Sequence, residues 1–198
     1  KKTLKQQKQI IVEGNILIKE AVQNKFKLNK LIFSDVNKIK DITKVFGRST
    51  SGIEFLKVPD PDLSYYSVLT TSPGCIGIFD KPQDIKKKYN ALPINVIADN
   101  CREPNNLGAI IRICNALPIS HLLLPKGCAD PWETKCIRGS SGSIFHLPTK
   151  QLDWEKIHQM TPAEDVVLIA DNDVRKYDKD RVFEYDEIPL EFIDNKNI

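Results

Sequence analysis

The stretch Ile94–Leu117, INVIADNCREPNNLGAIIRICNAL, constrains the fold more than any other part of the chain. Its first five residues are apolar apart from Asn95, the pattern of a strand covered on both faces. A short polar turn follows, and then Leu107, Ile110, Ile111, Cys114 and Leu117 fall on one stripe at helical spacing. A buried strand that turns directly into an amphipathic helix is the repeating unit of a parallel α/β sheet. Arg112 lies off the apolar stripe, one turn beyond Gly108 and on the same helical face. That face starts without a large side chain and then carries a permanent cation. It suits close approach by something polar or anionic.

Short strand-like runs alternate with helical patterns on both sides of this unit. Upstream, IIVEGNILIKEAVQNKF places Ile16, Leu17, Ala21 and Val22 at helical spacing, and KLIFSD reads as a strand. KIKDITKVFG reads as a helix stopped at Gly47, IEFLKV as a strand, DLSYYSVL as a helix opening at Asp62, and CIGIF as a strand. Residues 1–80 therefore form a first α/β block. The stretch DKPQDIKKKYNALP, with its two prolines and its charge run, reads as a linker over 81–92. Residues 93–198 form a second block. Here HLLLP is a buried strand, WETKCIRGSSGSIF and DWEKIHQM are helices, and VVLIAD is a further strand. The tail from Asn172 is polar and weakly patterned. The fold class is thus α/β, in two blocks.

Composition removes several classes of function. With 41% hydrophobic and 28% charged residues the chain is an ordinary globular one, and no apolar run is long enough to span a membrane. A net charge of +3 permits a nucleic-acid partner without demanding one. The basic residues are uneven: KKTLKQQK opens the chain and KKK occupies 86–88. Each run suits phosphate contact or a solvated surface equally. The five cysteines are odd in number and contain no C-x-x-C pair, which implies reduced thiols rather than a disulfide framework. His121, His146 and His158 share no ligand spacing, so no metal is expected. The chain opens on Lys1 rather than Met, which leaves room for a removed leader such as a transit peptide.

No G-x-G-x-x-G follows a strand, and neither a P-loop nor a G-x-S-x-G elbow occurs. Chemistry concentrates instead in DNCREPNNLGAIIR. Asn105 or Asn106 suits the helix cap, and Gly108 in the first turn is a poor helix former that calls for close approach by a strand, a loop or a ligand. Taken singly, an asparagine cap, a glycine notch and an exposed arginine need no ligand. Together, at the carboxyl end of a parallel-type strand, they mark a candidate site.

This stretch resembles the first motif of the SpoU (TrmH-type) RNA ribose 2′-O-methyltransferases of the SPOUT superfamily. The family's acidic-Pro-x-Asn-x-Gly-x-x-x-Arg pattern falls on Glu103, Pro104, Asn106, Gly108 and Arg112. Downstream, LLLPKGCADPWETKCIRGSSGSIFHLP is similar to the family's next strand and helix, with Lys135, Arg138, Ser140, Gly142 and Phe145 in matching places. Upstream, IIVEGNILIKEAV resembles the start of the family's accessory RNA-binding domain, akin to ribosomal protein L30. The resemblance covers residues of about 8–170 and is strongest to mitochondrial large-subunit rRNA guanosine methyltransferases. Pro118 departs from it, standing where many relatives carry glycine.

The resemblance implies an L30e-like substrate-binding block, then the N-terminal part of an α/β-knot methyltransferase domain. It implies S-adenosylmethionine as cofactor, ribosomal RNA as partner, a homodimer and a mitochondrial (matrix) setting, with the cytoplasm as alternative. Arg112 and Asn106 would be catalytic, and Gly108, Glu103, Arg102, Lys135 and Arg138 would meet substrate. The family's Gly-x-Glu-x-x-Gly loop and its Ser-Leu-Asn-Val-Ser segment do not occur before Ile198. The cofactor residues are accordingly expected beyond it, and this stretch alone is expected to be inactive. Arginine stays protonated in almost any setting, so two roles for Arg112 stand: stabilising a developing alkoxide while clamping the adjacent phosphate, or losing a proton with that phosphate's help. The first is favoured. The alternatives are a non-catalytic RNA-binding module, a tRNA 2′-O-methyltransferase and a Rossmann-like small-molecule enzyme.

Overall fold

The structure is a computed structural model that describes residues 8–46, 51–69, 71–86, 90–163, 165–179, 182–184 and 186–188. Its first sheet holds four strands. Strand β1 (Gln9–Glu13) pairs antiparallel with β4 (Cys75–Asp80), β4 antiparallel with β2 (Leu28–Phe33), and β2 parallel with β3 (Glu54–Lys57), in the order β1-β4-β2-β3. Ile11 stands opposite Ile78, and Leu31 opposite Gly77. Helix α1 (Asn15–Gln23) buries Ile18 and Ala21, and α2 (Lys40–Phe46) buries Ile42. A single turn of 3₁₀ helix over Val36–Ile39, capped by the Asp35 carboxylate accepting from the Asn37 N–H, leads into α2. Helix α3 (Asp60–Tyr66) holds its place through Leu63.

Several expectations shift here for identifiable reasons. The helical reading of IIVEGNILIKEAVQNKF splits into a strand and a helix. Ile10 and Val12 point inward and Ile11 outward, a period of two that the adjoining helical spacing concealed. Helix α3 opens at Asp60, not Asp62, because Pro59 sits at the cap and Pro61 fits the first turn. Helix α2 runs to Phe46, and the expected stop at Gly47 lies outside the described residues.

The second sheet is parallel. Strands β5 (Asn95–Ile97), β6 (His121–Leu124) and β7 (Thr149–Gln151) lie in that order, with Val96 opposite Leu122 and Leu123 opposite Lys150. Helix α4 (Pro104–Ala116) crosses from β5 to β6, and α5 (Thr134–Gly139) with a 3₁₀ turn at Ser143–Phe145 crosses from β6 to β7. Helix α6 (Trp154–Gln159) follows. Strand β5 was expected to be covered on both faces. It lies instead at an edge of the described sheet, with Asn95 exposed and Val96 and Ile97 half-buried. The single helix expected over WETKCIRGSSGSIF breaks at Gly142, whose φ of 83° is the left-handed conformation that favours glycine. VVLIAD forms no strand: Val166 to Ile169 are exposed and irregular.

Both sheets share one apolar cluster. Ile10, Ile18, Leu31 and Phe79 of the first unit and Leu107, Ile111, Leu122 and Ile144 of the second belong to it. Phe26, at the end of the turn after α1, stands edge-on to Phe145 at 5.1 Å and lies 5.9 Å from Trp132. Polar ties flank these rings. His146 Nε2 lies 2.9 Å from Glu20 Oε1, Lys81 Nζ 3.2 Å from Asp130 Oδ2, and the Thr134 hydroxyl donates to the Ile11 carbonyl at 3.2 Å. Asp130 also accepts the Trp132 N–H at 3.0 Å, so one carboxylate fixes both the lysine and the tryptophan's loop. Described residues 81–86 and 90–92 carry no helix or strand. The units they join are nevertheless packed together.

Candidate functional site

The loop from β5 to α4 runs through Asp99–Glu103. Asn100 takes a left-handed backbone (φ 50°), and its Oδ1 accepts the Arg102 Nε–H at 2.9 Å. The loop is bound to its neighbour after β6: the Cys128 thiol donates to the Ala98 carbonyl at 3.0 Å, and the Ala129 N–H to the Cys101 carbonyl at 2.9 Å. Strand ends in a parallel sheet gather ligands because their loops share one side. Here two such loops are hydrogen-bonded into one rim.

Helix α4 begins at Pro104, with Glu103 in the cap position and without a side-chain cap bond. Neither Asn105 nor Asn106 is the cap, contrary to expectation. Proline's fixed φ and missing N–H suit the first helical position and draw the start forward. Asn106 is therefore in the first turn and exposed. Arg112 is exposed one and a half turns later. Neither side chain makes a hydrogen bond or ion pair to another described residue, and the Arg112 guanidinium faces solvent.

Gly108 has a definite structural role. A Cβ there would lie 2.7 Å from the Gly139 carbonyl carbon and 2.8 Å from the Ser140 nitrogen. The backbones of α4 and α5 touch at this point, so only glycine permits the crossing. On the side where a Cβ would stand, the space beside Gly108 is filled by α5. On the opposite side of the same contact, Gly139 packs on the Asn105 backbone. Lys135 and Arg138 are exposed on α5, one turn and one residue before Gly139, so the crossing carries them beside the first turn of α4. Glu103 and Arg102 are likewise exposed. Asn106, Arg112, Lys135 and Arg138 are thus exposed residues of the two helices that meet in this tight crossing.

Burial pushes the Cys101 thiol up, with Cys128 and Glu103 adding to the shift. Burial pushes the Cys136 thiol up to about 12 and that of Cys75 to about 11. These thiols stay protonated and are packing groups, not nucleophiles. Two clefts among the described residues lie elsewhere, along the seam between the units, and sequence reasoning missed their residues. One is bordered by Ile11, Lys81, Asp130 and Trp132, the other by Lys25, Phe26, Lys86 and His146. The only signal for them was the pair of lysine-rich runs.

Residues 93–189 match the model of the SpoU rRNA Methylase family. The chain is 36% identical over 171 residues to rRNA methyltransferase 3, mitochondrial, of Xenopus laevis, a match that covers 83% of this chain and 40% of that protein. Against the Homo sapiens protein of the same name the identity is 34% over 173 residues, covering 84% of this chain and 40% of that one. The chain therefore spans about two fifths of the length of these relatives. Among solved structures it is similar to the SpoU methyltransferase AviRb from Streptomyces viridochromogenes in complex with AdoMet. That likeness has a TM-score of 0.63 at 20% identity, over 78% of this chain and 59% of that one.

Proposed function

Through residues 93–189 the chain belongs to the SpoU rRNA methylase family, and from that premise we propose that the protein containing it methylates a ribose 2′-hydroxyl of ribosomal RNA, on a guanosine, with S-adenosylmethionine as donor. The observation that carries this reading is the helix start of α4, where Asn106 and Arg112 project beside the Gly108–Gly139 crossing. Arg112 has no carboxylate partner among the described residues, so its charge is available to an incoming phosphate.

On this reading the residues that hold S-adenosylmethionine lie beyond Ile198, as the resemblance implies. At the start of α4 Asn106 and Arg112 are exposed, and the side of Gly108 where a side chain would stand is occupied by α5. Every role assigned to this chain therefore belongs to the acceptor side. Methyl transfer needs an oxygen in line and relieved of its proton. Arg112, a bidentate donor, clamps the phosphate next to the acceptor ribose and stabilises negative charge developing on O2′. Asn106 lies on the adjoining face of the first turn and orients the ribose. Lys135 and Arg138 hold flanking phosphates. The acceptor must be RNA, because DNA has no 2′-hydroxyl. On this reading the first unit is the L30e-like RNA-presenting domain, the second is the opening half of a knotted methyltransferase domain, the enzyme is a homodimer, and its setting is the mitochondrion.

The test is Arg112→Ala in the full-length protein, with ribose-methylation mapping of mitochondrial rRNA and circular dichroism as a check on folding. Losing a preorganised charge donor is expected to cost about 10²-fold or more in rate, with the fold intact. Methylation near the wild-type level in a folded Arg112→Ala protein overturns the assignment. RNA binding by the wild-type protein without any methyl transfer would make it a binding module instead.

A further inference from the structure

The segments entering β1 and leaving β4 are far apart in the chain but are joined in the fold. The Lys81 N–H donates to the Lys8 carbonyl at 2.8 Å, so the segment leaving β4 is hydrogen-bonded to the one entering β1. Both clefts of the seam border on Asp80 and Lys81. The second, of about 590 Å³, has Lys25, Lys27, Lys81 and Lys86 around it, with Phe26 and the buried Phe145 among its walls. Lys8 borders the first.

The acidic groups are largely committed. Asp80 accepts from Lys27 at 3.2 Å and from the Asn29 amide at 2.7 Å, and these contacts hold its carboxyl below the usual range. Asp130 is taken by Lys81, and Glu20 by His146. Asp84 is exposed on the rim. Lys25 and Lys86 are both exposed and make no ion pair with another described residue. Lys25 is set outward by a left-handed backbone (φ 64°) at the end of the α1 turn, just before the aromatic wall. The groove is also held in shape, since the His146–Glu20 and Lys81–Asp130 contacts tie its two sides together. A basic groove with an aromatic wall that needs no rearrangement suits a strand of phosphates.

We propose that this seam is a second RNA-contact surface, lined by residues other than those of the α4 site, which grips the phosphodiester backbone of the substrate without reading its sequence. Lys25 and Lys86 make the principal contacts, and the clamp between the units keeps them at a fixed offset from Arg112. The inference deepens the methyltransferase reading by naming where the rest of the substrate lies.

The experiment measures binding of a short fluorescein-labelled, unstructured RNA to the full chain by anisotropy across a salt series. Each phosphate contact on a single strand contributes about 0.7 to the slope of log K against log salt. Lys25→Glu/Lys86→Glu is expected to lower the slope by about 1.4 and to weaken binding roughly 25-fold at about 0.1 M salt. The control Lys40→Glu/Lys156→Glu carries the same change of net charge on exposed residues of α2 and α6 and is expected to leave the slope unchanged. An unchanged slope in the groove variant, or an equal fall in the control, overturns the proposal. Should charge reversal unfold the chain by circular dichroism, Lys25→Gln/Lys86→Gln makes the same test with half the expected effect or more. Arg112→Ala in the same assay retains the slope change caused by the groove residues. Failure of the groove is thereby separated from failure of the methyl-transfer assignment.

Discussion

Gly108→Ala tests the account of the α4 site without requiring activity. The added Cβ would sit 2.7 Å from the Gly139 carbonyl carbon, 2.8 Å from its Cα and 2.8 Å from the Ser140 nitrogen. All three are backbone atoms, so no side chain can swing away; two helices have to separate. Overpacking of a tight contact costs about 1–3 kcal/mol, and a backbone obstruction belongs at the upper end. Alanine recovers about 1 kcal/mol of helix propensity. The net is a loss of about 2 kcal/mol, which for a chain of this size lowers Tm by about 4–8 °C. Thermal unfolding followed at 222 nm measures it, with Gly139→Ala as comparison. There the new Cβ meets the Asn105 oxygen at 3.3 Å, a contact that a small shift relieves, so the effect should be under half as large. A Gly108→Ala chain as stable as the wild type would refute the packing role and return the glycine to a ligand.

The Cys136 thiol, pushed from 9.0 to about 12 chiefly by burial with Asp130 and Glu133 adding to it, favours the protonated folded state. Its contribution is complete below about pH 9 and is lost as pH rises towards 12, so the urea midpoint should fall across that window. Cys136→Ala should remove part of the fall, and an equally steep fall in the variant would refute the assignment. Asp130→Asn keeps the shape of the side chain but weakens its tie to the half-buried Lys81. It should cost about 1–2 kcal/mol in urea unfolding, with a shift in tryptophan emission because the Trp132 loop hangs on the same carboxylate. A Trp132 signal unmoved by the change would show that the aromatic contacts alone hold the loop.

What was legible in the sequence followed strong periodicity. Leu107, Ile111 and Cys114 are the buried stripe of α4, HLLL is the central strand of its sheet, and CIGIF pairs on both sides. The motif residues from Leu107 to Arg112 also lie in the helix that the strand–turn–helix reading gave them, which starts earlier than read, at Pro104. The misses have physical causes. Five residues of β1 disappeared into an adjoining helical pattern, since Ile10 and Val12 suit either period. The apolar β5 and VVLIA runs suggest burial, but burial is set by neighbours: β5 is only half-covered and Val166 to Ile169 are exposed among the described residues. The role of Gly108 was ambiguous because a notch in one helix says nothing of what fills it. Only the position of Gly139 resolves that. The joining of the units through Phe26, Trp132 and Phe145 had no periodic signature at all, because it depends on three isolated aromatic residues.

Strand β1 precedes the other strands of its sheet in chain order, yet its ladder partner is β4, which follows two other strands and three helices. Its other edge is met by α5 of the second unit, through Thr134. The ladder between β1 and β4 therefore closes a loop of some tens of residues, and contacts of that sequence separation form slowly. Strand β1 is thus joined on one edge by a ladder within its own unit and on the other by a single hydroxyl of the second unit.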